Sequence, residues 1–289
     1  MSATPSDLKG LRRRLDEIDD RLHDLLMDRA EIVSMVAASK KDGNQPAFQP
    51  GREAEIIRRL VARHRGAFPV ATLVRMWREM LAATVRLQSS FAVAVFVPVD
   101  RQGFWDLARD HYGSNTPMSA YPCADQVIRA VTNGEASVGV LPMPQEGEPD
   151  PWWRHMLSGD ENRPRAIARL PFGARGNARN DGADALAIGR GERQETDLDR
   201  TLLVTECAAD IDRARVSKML ASLGLACTFF ASCEQAGSAL NLIEVEGFVR
   251  ISDARLDGFR AELGSALQRL LPIGGYPVPL PMASLAAEG

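Results

Sequence analysis

From Leu8 to Val36 apolar residues recur at alternating steps of three and four: Leu8, Leu11, Leu15, Ile18, Leu22, Leu25, Ile32 and Val36. This spacing predicts one long helix with a narrow apolar seam. Position 29, where the row calls for a leucine, is Arg29. A guanidinium is always charged and offers five donors in a fixed fork. It belongs on such a stripe only where an anion or a polar pocket meets it. The helix is expected to run to about Lys41, before the turn formers Asp42-Gly43-Asn44-Gln45-Pro46. Some 35 residues rising 1.5 Å each make it roughly 50 Å long. A second helix is predicted from near Pro50 to about Arg65-Gly66, with Glu53, Ile56, Ile57 and Leu60 on one face. A third is predicted from near Pro69 through Leu73, Met76, Met80, Thr84, Leu87 and Gln88 to Phe91. Two short helices cannot cover so long a seam, so the pattern implies an obligate helical dimer with the long helices paired.

The texture changes after residue 91. Phe91 to Val97 is a β-branched and aromatic run, predicted as a buried strand, and Ser137 to Leu141 as a second. Helices are expected at 103–112 and 123–131. Residues 144 to 191 are rich in Gly, Pro, Arg and Asp and predict a loop-dominated stretch, with short elements only at Trp152–Leu157 and Arg165–Leu170. From Thr201 the order is strand, helix (210–223), strand (227–230), strand (242–249), helix (256–271), the ferredoxin-like β-α-β-β-α pattern. The fold class is therefore multidomain. An all-α three-helix region at 1–91 precedes an α/β region at 92–200, and a ferredoxin-like α+β module closes the chain at 201–289.

Composition narrows the chemistry. The 289 residues can bury more than one core. A balance of 35 basic and 38 acidic side chains gives a formal charge of -3, so no global field points to nucleic acid or an acidic membrane. No basic-then-apolar leader and no membrane-length apolar run is present, which reads as a cytoplasmic protein. The four cysteines and four histidines show no metal-ligand spacing, so no metal is expected.

Arg29 is not the only polar group set into an apolar face. Lys40 lies near the continuation of the same seam, three turns on. Glu53 opens the apolar face of the second helix, with Arg52 beside it, and Thr84 and Gln88 sit four apart on the third. Arg12 flanks the start of the seam. Each has a plain alternative: Arg12 as one of three solvated arginines, Lys40 snorkelling from a helix end, Thr84 and Gln88 as hydrogen-bonded core groups, Arg29 paired within its own helix. Taken together, these cations, one carboxylate and two neutral polar groups suit a small dianion held between helices. No serine or cysteine with a base accompanies them, so the set binds and polarises rather than forming covalent bonds.

The stretch Leu11-Arg12…Ile18-Asp19…Asp28-Arg29…Val33…Lys40…Arg52-Glu53…Thr84…Gln88 resembles the all-helical (AroQ-type) chorismate mutases, specifically the mutase domain of bacterial bifunctional P-proteins. The resemblance covers residues 6–91. It implies an intertwined homodimer with two shared sites and no cofactor, in which chorismate rearranges to prephenate. It further implies that Arg12 of the partner chain and Arg29 bind the two carboxylates, that Lys40 and Gln88 donate to the ether oxygen, and that Glu53 accepts from the ring hydroxyl. Arg52 and Thr84 would support these contacts. Gln49 stands where the family usually has an aspartate, which removes a carboxylate but keeps an acceptor.

Residues 91–144 look like the first lobe of a prephenate dehydratase, and Thr201 to Gly274-Gly-Tyr-Pro277 like the ACT domain that follows it in P-proteins. The departures imply a degenerate remnant. Leu202 and Leu203 follow Thr201 where a Thr-Arg-Phe motif is expected, Pro144-Gln145-Glu146 replaces Glu-Asn-Ser, and the Glu-Ser-Arg-Pro signature is missing. Two other readings remain: a working bifunctional mutase–dehydratase, and a non-catalytic helical dimer regulating a shikimate-pathway partner. The amino analogue of chorismate also remains open as substrate.

Overall fold

A computed structural model describes residues 5–40, 47–157, 163–179, 184–209, 211–235 and 237–281, the side chains of residues 5–7 and 40 excepted. The expected turn at 42–46 and the helix start at Asp210 lie outside the described residues. The chain divides into two compact units, residues 1–47 with 84–90 and residues 48–83 with 91–289.

The first unit is dominated by α1 (Pro5–Lys40), one uninterrupted helix. At 1.5 Å per residue it is about 54 Å long. Its apolar seam faces outward, with Leu15 58%, Leu22 55%, Leu25 61% and Ile32 58% exposed. The seam alternation thus forms a helix, but this unit does not bury it.

The second unit begins with α2 (Pro50–Ala62) and most of α3 (Val70–Gln88). Pro50 enters the first turn of α2, where no amide hydrogen is required. Ala54, Ile57, Val70, Val74 and Leu81 pack together with Phe172. The expected face of α3 needs correction. Its buried row is Val70, Val74, Leu81 and Val85, whereas Met76 and Leu87 are 57% and 63% exposed. Apolar residues encircle this helix, so spacing alone did not fix its phase. Arg58 of α2 donates to the carbonyls of Leu198 (2.9 Å) and Val278 (2.7 Å), and the rings of Phe48, Phe91 and Tyr112 stack at 5.1–5.8 Å.

The rest of this unit is one nine-stranded sheet in the order β2-β1-β3-β5-β4-β9-β6-β8-β7. The strands are β1 (Val93–Phe96), β2 (Met118–Tyr121), β3 (Val138–Pro142), β4 (Arg165–Leu170), β5 (Ala185–Gly189), β6 (Asp199–Ala208), β7 (Cys227–Gln235), β8 (Ser238–Glu246) and β9 (Leu267–Pro277). β1 pairs in parallel with β2 and β3, joined by α4 (Gly103–Tyr112) and α5 (Ala124–Thr132). The strands β9-β6-β8-β7 form an antiparallel ladder with α6 (Arg213–Ser222) and α7 (Ala254–Leu263). That is the expected ferredoxin-like module, closed by a fourth strand.

Three strands were not foreseen. β2 is a short edge strand with Ser119 and Ala120 exposed, so it carries little apolar signal. β5 is fully buried, with Leu186 and Ile188 set among two alanines and a glycine, inside a stretch that composition marks as loop. β9 occupies residues expected to continue α7. Gly264, with φ +51, ends that helix and a short 3-10 turn follows, after which Leu267 to Pro277 add to β6. The segment 152–156 is a 3-10 turn that buries Trp152, Trp153 and Met156.

Gly274 is where the two halves of the sheet meet. It pairs with Ala166 of β4 at φ +125, and a Cβ there would collide with the Ala166 backbone. Gly274→Ala is therefore expected to destabilise the chain by more than about 1 kcal/mol. Thermal unfolding by circular dichroism checks this, and an unchanged midpoint would contradict the joint.

Candidate active site in the helical region

Five of the expected site residues lie in the first unit. Arg29 is half-buried amid exposed leucines, and burial lowers its guanidinium from the ordinary value. Lys40 closes α1, and its side chain lies outside the described residues. Eleven residues separate the two. That is about 16 Å along the axis and about 20° around it, so the two positions share one face of the helix. Arg12 is exposed, and its 17-residue distance from Arg29 is about 26 Å along α1. A single helix therefore cannot bring Arg12 and Arg29 to one small molecule. On α3, Thr84 is buried, and the Gln88 side-chain amide donates to the Thr84 carbonyl at 3.0 Å.

The other three lie in the second unit, at the start of α2. Gln49 precedes the helix, and its carbonyl accepts from the Glu53 amide at 3.1 Å. Its side chain makes no capping bond. Arg52 is exposed and paired to Glu55 at 3.2 Å, a surface contact of little energetic weight. Glu53 is buried, and its Oε2 accepts from Arg78 Nη1 at 3.0 Å. Burial raises the Glu53 carboxyl to about 7, while Arg78 pulls the other way.

Arg78 was not singled out from sequence, although the signal existed. It follows Val70 and Val74 at steps of four, so it is a charge on a buried row just as Arg29 interrupts a seam. Its guanidinium carbon lies 4.8 Å from the centre of the Phe172 ring. His111 and Tyr112 of α4 are buried nearby. Burial and then Arg78 hold His111 well below the usual imidazole range, and burial and then Glu53 raise Tyr112. A neutral imidazole beside a cation avoids a second buried positive charge.

In the first unit the Arg29 guanidinium can fork onto a carboxylate, and in the second Glu53 is a buried acceptor. No nucleophile with a base is among the eight residues.

Residues 11–89 match the family model for chorismate mutase type II. The chain is 30% identical over 156 residues to a bifunctional chorismate mutase/prephenate dehydratase of Pseudomonas aeruginosa, covering 50% of this chain and 41% of that protein. It is 28% identical over 142 residues to a protein of the same description from Aquifex aeolicus, covering 47% and 39%. The match thus spans about two-fifths of the length of these curated relatives. A solved prephenate dehydratase from Streptococcus mutans aligns with a TM-score of 0.45 and 14% identity, over 65% of this chain and 98% of that one.

Between the ordinary value of 4.5 and about 7, the folded chain holds a proton on Glu53 that the unfolded chain has released. This group's contribution to stability therefore falls as pH rises through that window. Glu53→Gln stays uncharged at every pH and so does not lose this contribution as pH rises, whatever its deficit against the protonated parent at about pH 5. Urea unfolding at about pH 5 and about pH 8 should show a smaller deficit at the higher pH. A deficit that widens with pH would contradict the raised carboxyl.

Proposed function

We propose that the chorismate mutase type II domain at residues 11–89 converts chorismate to prephenate, and that the α/β region does no dehydratase chemistry. The carrying observation is the family match over the same residues whose charges interrupt apolar helical faces. The rearrangement is intramolecular and needs neither nucleophile nor proton transfer. The protein must hold the compact conformer in which the reacting carbons meet. It must also stabilise the negative charge that grows on the ether oxygen as its bond to the ring stretches.

In this reading Arg29 holds one substrate carboxylate and Arg12 of a second chain holds the other. Lys40 and Gln88 donate to the ether oxygen. Glu53 accepts from the ring hydroxyl, with Gln49, Arg52 and Thr84 as supporting contacts. The exposed α1 seam supports a homodimer. Its eight apolar residues, each roughly half exposed, would gain on the order of 1 kcal/mol apiece when covered. Over two chains that is on the order of 15 kcal/mol, comparable with the association entropy of about 4–15 kcal/mol that opposes it. Both relatives described above are bifunctional, which favours a second reading, mutase and dehydratase together. Product analysis separates the two, since only the second yields phenylpyruvate without acid treatment.

Arg29→Ala and Lys40→Ala should each lower turnover by about a hundredfold or more, the cost of one preorganised donor. Helical content by circular dichroism should not change. Near-normal prephenate formation by either variant would refute the assignment. Leu22→Asp should convert a dimer to a monomer in light scattering coupled to size exclusion, and turnover should disappear with it. A monomeric, fully active variant would rule out shared sites.

A further inference from the structure

We propose that Arg78 is a positioning residue for Glu53, held in place by Phe172 of the α/β region. The inference rests on the mutase reading above and assigns residues beyond position 91 a part in that chemistry.

Glu53 and Arg78 meet from two helices, α2 and α3, and both are buried. An ion pair taken out of water gains little net stability, while breaking one side is strongly unfavourable. Such a pair fixes geometry more than it adds stability. Here it fixes the carboxylate plane. Arg78 holds Oε2, and Oε1 is the oxygen we assign to the ring hydroxyl of the substrate. A carboxylate restrained in this way cannot turn away from its acceptor position, which is how a preorganised group avoids reorganisation during reaction.

The cation is itself supported. Phe172 follows β4, is buried, and presents its ring to Arg78 at 4.8 Å. A desolvated guanidinium over an aromatic face is attracted by the ring quadrupole. Phe172 is anchored in turn, because its carbonyl accepts from the Leu280 amide at 2.8 Å. A cavity of about 210 Å³ adjoins the pair, lined in part by Arg75, Arg78, Asp110, His111 and Phe172. The groups facing the pair are His111 and Tyr112, with Arg75 ion-paired to Asp110 beside them. His111 is kept neutral by burial and by Arg78, so Arg78 is the cation that acts on Glu53. An ionised carboxylate is the stronger acceptor for a hydroxyl. Burial opposes that form and Arg78 favours it, which places the ionisation of Glu53 at about 7.

The test is the pH profile of kcat/KM for chorismate in the full chain, with folding followed by circular dichroism. The parent should rise through an inflection near neutrality. Arg78→Met should move that inflection upward by a full pH unit or more, and Arg78→Lys should restore most of the shift. A folded Arg78→Met variant with an unmoved inflection, even at reduced activity, overturns the proposal, because a merely structural role scales the rate at every pH alike. If Arg78→Met does not fold, Phe172→Leu serves, since both charges remain and only the ring is lost. It should move the inflection the same way, and an unmoved one is again contrary. Carbon-13 titration of the Glu53 carboxyl, identified by its loss in Glu53→Gln, reads the same shift without the reaction. A chain that shows this shift but no chorismate turnover refutes the mutase reading while the pairing stands. A chain with turnover but no shift refutes the positioning role alone.

Discussion

An apolar seam about 42 Å long, from Leu8 to Val36, that its own unit leaves half exposed is the constraint on which the rest depends. Water penalises such a surface in proportion to its area. The helix carries its polar exceptions on or beside the same seam. Whatever covers the leucines must therefore also meet Arg29, and only a partner with a matching polar gap can do both. The proposed homodimer would supply one, since an isologous interface uses the same patch, leucines and Arg29 alike, on both copies. In the proposed dimer this also resolves the distance between Arg12 and Arg29, about 26 Å on one helix, because the two would reach one ligand from different chains.

The carboxylate obeys a different constraint. Glu53 is buried at the start of α2, where the first turn of a helix welcomes negative charge but desolvation does not. Arg78 offsets that cost from α3, and Phe172 offsets part of the cost of Arg78. The chain of support runs from the sheet to the carboxylate. Whatever chemistry the α/β region does, it lends this support through Phe172.

Much of this was legible in the residues, and the failures have physical causes. The steps of three and four along α1, and the charges that break them, gave both the helix and the candidate ligands, because a guanidinium on an apolar row has few bland explanations. Pro50 marked the start of α2 because its geometry suits a first turn. The phase of α3 was misjudged, and Arg78 was missed with it, since Leu73, Met76 and Met80 offered an equally apolar row. β5 was hidden because Ile188 is its one β-branched residue, and its alanines and glycine add little strand signal within a stretch rich in loop formers. β9 shares a leucine-rich stretch with the helix before it, and the boundary rests on one glycine with positive φ. Strand pairing is settled by neighbours far along the chain, which local spacing does not contain.

Mixing two inactive variants tests the central claim, a site shared by two chains, most directly. Arg12→Ala and Arg29→Ala chains, unfolded together and refolded at equal amounts, should form mixed dimers with one intact site and one doubly damaged site. With random pairing, half the dimers are mixed, so chorismate turnover should recover to about a quarter of the parent's. Turnover no greater than the mean of the two separate variants would contradict the account.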